Sequence, residues 1–183
     1  NPAVHVRSPA DESSFTRVVA GVDWGYSNPG AIVVVAQDAS GTYWAVDEAY
    51  GRLIPPVGPH ECWLSIARRL RQQWGIEVFY CDPSEPANIA AFTQEGLPAA
   101  AADNSLEPGI ARVAGLLKAE KLFISPRCRN LIDEFGRYQY RLGPDGEPTG
   151  EILKAFDHAL DALRYAIMGL SSQPPNRAFV QTL

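Results

Sequence analysis

The stretch Arg17-Val-Val-Ala-Gly-Val-Asp23-Trp-Gly-Tyr26 constrains this chain more than any other. Val18, Val19, Ala20 and Val22 form a near-continuous apolar run, the pattern of a strand buried on both faces. The run ends on a carboxylate. Asp is depleted in strands because burying it without partners is costly, so Asp23 at the end of such a strand asks for a reason. Gly25 and Ser27-Asn28-Pro29-Gly30 then make a turn, and Ala31-Ile-Val-Val-Val-Ala36 resumes as a second strand. The result is a hairpin with one acid at its heart.

The remaining chain reads as elements that can be brought to that acid. A third, aromatic-rich strand covers 42–50, and three strands joined by short turns should be antiparallel. A helix follows over 60–74, with Trp63, Ile66, Ala67, Leu70 and Trp74 on one face and Gly75 as its stop. A strand over 76–81 again ends on an acid, Asp82. Next come a helix (85–95), a short strand (97–102), a helix (107–120) that Pro108 can open, a short strand (122–124) and a helix (127–137). Residues 138–142 and 147–152 flank Asp145-Gly146, a strong hairpin turn. A long helix over 153–170 carries Phe156, Leu160, Leu163, Ile167 and Leu170 on its buried stripe. This order predicts an α/β fold with a mixed sheet, three antiparallel strands and then helix–strand units, flanked by helices. Residues 1–15 read as a linker or ordered arm, 16–170 as one domain, and 171–183 as a tail.

Hydrophobic residues make up 46 % of the 183, enough for a substantial core. Net charge is −5, which is not the usual balance of a nucleic-acid binder unless bound cations supply local positive charge. Cys62, Cys81 and Cys128 are far apart and form no CxxC, so free thiols in a reducing compartment are expected rather than a zinc ribbon. No signal peptide or membrane span is expected.

Asp23 and Asp82 end strands, and open α/β sheets commonly place ligands along that edge. Asp157, His158 and Asp161 stand on the last helix. Asp157 and Asp161 are four apart and share a face, and His158 and Asp161 are three apart. Singly, each acid also suits a turn or a helix first turn, and His158 an ordinary satisfied histidine. Together they suit hard divalent cations. Clustered carboxylates repel one another, Mg²⁺ or Mn²⁺ removes that penalty, and two ions about 4 Å apart can clamp both oxygens of a phosphodiester.

These residues resemble the nuclease domain of tailed-bacteriophage terminase large subunits, the DNA-packaging motors. The resemblance is carried by Gly21-Val-Asp23-Trp-Gly25-Tyr26 with Asn28-Pro29 and Ala31, by Tyr80-Cys-Asp82-Pro83, by Gly109-Ile110, by Cys128, Leu131-Ile132 and Tyr138-Gln-Tyr140, and above all by Asp157-His158-Ala-Leu-Asp161-Ala-Leu-Arg164-Tyr165-Ala166. It covers roughly residues 17–170 and implies a ribonuclease H-like fold. It also implies a metal-dependent endonuclease that cuts concatemeric viral DNA in the host cell cytoplasm, with Mg²⁺ or Mn²⁺, two ions, as cofactor. The metal and catalytic roles fall on Asp23, Asp82, Asp157 and Asp161, with His158 assisting metal binding. Whether Asp157 or Asp161 is the main ligand stays open. Implied partners are double-stranded DNA, an ATPase domain, the portal and the small terminase subunit.

Two departures stand out. No GxxxxGK[ST] phosphate loop is present, as for an excised C-terminal domain. The loop Ala102-Asp103-Asn104-Ser105 lacks the basic residue expected from many relatives, which shifts the expected DNA contacts to Lys154, Arg141, Arg137, Lys118 and Lys121. The hairpin over 138–152 could lie against a DNA groove or pack on the ATPase domain. A Holliday-junction resolvase of the same fold and a non-catalytic DNA-binding module are the competing readings.

Overall fold

The computed structural model describes residues 1–137, 140–142, 148–152 and 157–172. Its strands are β1 (Phe15–Asp23), β2 (Gly30–Asp38), β3 (Tyr43–Gly51), β4 (Phe79–Cys81), β5 (Ala99–Ala101) and β6 (Leu122–Ile124), in the sheet order β5-β4-β1-β2-β3-β6. β1–β2 and β2–β3 are antiparallel; β4 joins β1, β5 joins β4 and β6 joins β3 in parallel. The expected mixed sheet is therefore present.

Alternation along the strands divides the core in two. Val19, Val33 and Val35 face Leu163, Ala166 and Ile167 of α6 (His158–Ser171), with Leu116 of α4 (Leu106–Lys118) and Leu131 of α5 (Arg129–Arg137). Ala20, Val22, Ile32 and Val34 face Trp63, Ile66 and Leu70 of α2 (Trp63–Trp74) and Phe92 of α3 (Pro86–Gln94). Leu163 and Ile167 are completely buried, each stabilising the α6–sheet contact by roughly 1.5–3 kcal/mol.

Local chemistry sets the helix ends. α2 starts at Trp63, not at 60, because the loop folds back: the carbonyls of Pro55 and Pro56 accept from the N–H groups of Trp63 and Leu64. Gly75 ends it at φ +67°. At the other edge, α1 (Pro2–His5) leads into Val6, which bridges β6 at Ile124, and the Arg7 guanidinium lies 3.6 Å from the Phe123 ring centroid. This N-terminal segment covers an otherwise open strand edge.

β7 (Tyr140–Leu142) and β8 (Pro148–Ile152) form a separate antiparallel pair where a hairpin was expected. Tyr138, the Gly143–Gly146 turn, Lys154 and Phe156 lie outside the described residues. All three cysteines are free and buried. Among the described residues no helix is long and apolar enough to cross a membrane.

Candidate active site

Asp23 closes β1 and Asp82 follows β4. The parallel register pairs Val22 with Cys81, so the two acids leave adjacent strands at the same end. The Asp82 N–H donates to the Val22 carbonyl at 2.8 Å, continuing that ladder. The turn after Asp23 is tight: a Cβ on Gly25 would lie 2.0 Å from the Pro29 carbonyl oxygen, so only glycine fits. Trp24 ties the two acidic strand ends together. Its Nε1–H donates to the Asp82 carbonyl at 3.1 Å, and its ring packs edge-on against Phe92.

The N-terminal end of α6 crosses this end of the sheet. Asp23, Asp157, His158 and Asp161, with Trp24 to Asn28, line one pocket of about 410 Å³. Among the described residues, polar partners stand out for three of the acids. His158 Nδ1 lies 2.8 Å from Asp23 Oδ2. Asp161 Oδ1 accepts from Arg164 Nε at 3.2 Å and Nη2 at 2.9 Å. Asp82 accepts from the Ser84 N–H at 3.0 Å and hydroxyl at 2.6 Å. Among the described residues no three His, Cys, Asp or Glu side chains close into a metal-binding group.

The electrostatics nevertheless join the acids. Burial pushes the Asp23 carboxyl up to about 6; the His158 hydrogen bond opposes this, and the charges of Asp161 and Asp82 add to it. Its bond to Asp23 raises His158. Tyr165, buried on α6, is raised by burial and then by Asp161, Asp82 and Asp23 together. Three carboxylates thus press on one region. Their oxygen donors suit Mg²⁺ or Mn²⁺, and a bound cation would offset the cost of charging Asp23.

Two contributors escape a linear reading. Arg164 is 5 % exposed within the stripe of Leu160, Leu163 and Ile167; it holds Asp161 and also donates through Nη1 to the Ser105 carbonyl at 3.2 Å. An arginine inside an apolar stripe, three residues after an acid, is the signal that could have found it. Glu134 is buried on α5, three residues after the buried Leu131, and burial pushes it up to about 7. That i, i+3 placement was its signal.

The expected DNA contacts scatter. Arg137 pairs with Asp133 at 3.0 Å on the exposed side of α5. Lys118 ends α4, and Lys121 Nζ is 3.5 Å from Thr42 Oγ1, at the end of the sheet opposite the acids. The structure therefore does not bring these two lysines to the pocket. Arg141 lies in β7. Exposed Arg52, not singled out from the sequence, follows β3 at the acid end, and the N–H of its neighbour Leu53 donates to the Tyr26 carbonyl at 2.8 Å.

The sequence model of the Terminase RNaseH-like domain family matches residues 20–170, from β1 through α6 and hence all the acids above. The chain belongs to this family. Solved terminase structures share the fold of this terminase RNaseH-like domain. The nuclease domain of the P22 large terminase superposes with a TM-score of 0.74 at 17 % identity, over 92 % of this chain and 88 % of that one. The nuclease domain of the large terminase g2p of bacteriophage SPP1, with bound Mn, gives 0.71 at 23 % identity, over 88 % and 93 %. The large terminase of a thermophilic bacteriophage, in complex with ADP, gives 0.73 at 20 % identity, over 91 % of this chain but 42 % of that one. The chain thus spans less than half the length of that thermophilic phage protein. No curated protein matches the sequence.

Asp23, His158 and Glu134 all hold protons more tightly in this terminase RNaseH-like domain than in the unfolded chain. Unfolding therefore releases protons, and the stability these groups add at acid pH is lost as pH rises through their folded values. In EDTA, the melting temperature is expected to fall between about pH 4.5 and pH 7.5. Scanning calorimetry across that window checks it; a rising profile would contradict the burial of Asp23.

Proposed function

We propose that this domain is a metal-dependent DNA endonuclease that cuts concatemeric viral DNA during genome packaging. The observation that carries the proposal is the pocket at the sheet end, where the buried Asp23 meets Asp157 at the cap of α6 and His158 and Asp161 in its first turn, with Asp82 directly after the adjoining strand. Asp23, Asp161 and Asp82 would hold Mg²⁺ or Mn²⁺, two ions, with Asp157 flanking them. Asp161 is the better candidate of the helix pair for the main ligand, since its charge bears directly on Asp23. The bound Mn in the SPP1 nuclease domain supports this donor chemistry. Bound ions supply Lewis-acid charge at a scissile phosphate. His158 orients the Asp23 carboxylate through Nδ1, Arg164 orients Asp161, and Trp24 holds the two acidic strand ends in register.

Arg52 and the β7–β8 hairpin with Arg141 are the proposed contacts to double-stranded DNA, together with Lys154 and Arg137. An acidic domain with so few basic groups would bind DNA weakly and with strong salt dependence. The ATPase domain, portal and small subunit of a terminase are the proposed partners, in the host cell cytoplasm.

Supercoiled plasmid incubated with Mg²⁺, Mn²⁺ or EDTA provides the test. Nicking and linearisation are expected with either metal and none with EDTA. A well-folded protein that cuts under no metal would sink the nuclease reading, and a strong preference for branched over linear duplex would move it to a junction resolvase.

A further inference from the structure

Asp23 is fixed by the sheet, whereas His158 and Asp161 ride on α6 and Asp157 stands at its cap. The site therefore depends on whatever locates the start of that helix. Asp157, the residue at the cap position, makes no side-chain capping bond. Glu134 of α5 takes over: its Oε2 accepts from the N–H groups of Ala159 at 2.8 Å and Leu160 at 3.0 Å. A carboxylate there satisfies orphan donors and meets the positive end of the helix dipole. The same device recurs one step back. Glu48 of β3 accepts from the N–H groups of Asn130 at 2.7 Å and Leu131 at 3.0 Å, at the start of α5. Two glutamates thus tie the sheet to α5 and α5 to α6. Tyr50 of β3 faces the Glu134 carboxyl group as well.

A serine or asparagine could cap α6 without burying a charge. Glu134 is 2 % exposed, so its position carries a desolvation cost that capping alone does not require. The bonded amides belong to the two residues directly after His158, and they lie on the turn that ends at Asp161. A shift of this turn would move both side chains relative to Asp23.

We propose that Glu134 is a positioning residue that sets the pose of His158 and Asp161 against Asp23, and thereby the affinity of the pocket for divalent cations. The proposal rests on the metal-dependent reading of that pocket. Glu134→Gln keeps an acceptor of the same shape without the charge; Glu134→Ala removes it. Two readouts apply to the DNA-free chain: Mn²⁺ affinity by electron paramagnetic resonance, and the imidazole nitrogen resonances of metal-free protein. The chain has three histidines, so His158→Gln assigns the signal of His158. Glu134→Ala is expected to weaken Mn²⁺ binding roughly tenfold or more, and Glu134→Gln by less. Both should shift the His158 resonance and leave His5 and His60 in place. Ile66→Val, on the opposite face of the sheet, supplies a general loss of stability that should move neither readout.

Glu134 variants that bind Mn²⁺ like the wild type and keep its His158 resonance would overturn the proposal. If Glu134→Ala does not fold, the Glu134→Gln comparison decides it alone. A wild-type chain that binds no Mn²⁺ would sink the metal-dependent reading, and with it the affinity part of this proposal. The His158 resonance, read at a pH where the ring is neutral in every variant so that loss of the Glu134 charge does not change its protonation, still decides the positioning part.

Discussion

Asp23→Asn is expected to lower metal-supported plasmid cleavage by roughly a thousandfold, the scale of removing one charge-stabilising group from an active site. The domain should stay folded. Asp23 is a carboxyl group whose burial already raises it to about 6, so at neutral pH the folded chain holds a charge in surroundings that disfavour it. Asparagine removes that charge and relieves its repulsion with Asp161 and Asp82. It also gives up the charged half of the pair with His158, whose ring nitrogen keeps an amide partner of similar shape. In EDTA at about pH 7.5 the variant should therefore melt no lower than the wild type, and any advantage should vanish near pH 4.5, where the wild-type carboxyl is itself protonated. Plasmid cleavage and thermal melts on the same preparations check both halves. Retained cleavage would remove Asp23 from the site; loss of cooperative melting would make its role structural.

Gly21→Ala is the second large effect. A Cβ at Gly21 would lie 1.7 Å from the Ala162 carbonyl oxygen, 2.7 Å from its carbon and 2.9 Å from the Ala166 nitrogen. All three are backbone atoms of α6, so no side chain can swing aside and the helix must move off β1. Overpacking of this kind costs roughly 3 kcal/mol or more, which lowers the melting temperature by about 10 °C in a domain of this size. The same movement withdraws Asp161 from Asp23, so the folded fraction should also bind Mn²⁺ less tightly. Gly115→Ala is the control: it lies within α4 with nothing inside 4 Å of the added methyl, and should be neutral or slightly stabilising. A Gly21→Ala domain that melts like the wild type would contradict the close approach of α6 to β1.

Much of the fold was readable because the governing forces are local and periodic. β1, β2 and β3 announce themselves as apolar runs between turn residues, and α2 as a 3–4 repeat closed by Gly75. Boundaries moved where a loop folded back on the helix, as at the start of α2, where Pro55 and Pro56 supply the helix-end acceptors. The place of β6 was not legible. Its three residues carry no mark that they pair with β3 instead of extending the sheet beyond β5, since strand order follows from helix packing rather than from the strand's own sequence.

The sequence by itself determined the main strands and helices, their order, and that acids would end β1 and β4 and stand on the last helix, because period and turn chemistry act over a few residues. That the helix starts only at His158, with Asp157 at its cap, came from the structure. Only the tertiary structure decided which groups meet. It placed His158 against Asp23, buried Arg164 beside Asp161, left Lys118 and Lys121 at the far end of the sheet, and set Glu134 under the first turn of α6. Each of these is a contact or a separation between segments far apart in the chain, or a burial that depends on what packs above, and a carboxylate or guanidinium acquires its role only once desolvation and a partner have been fixed in space.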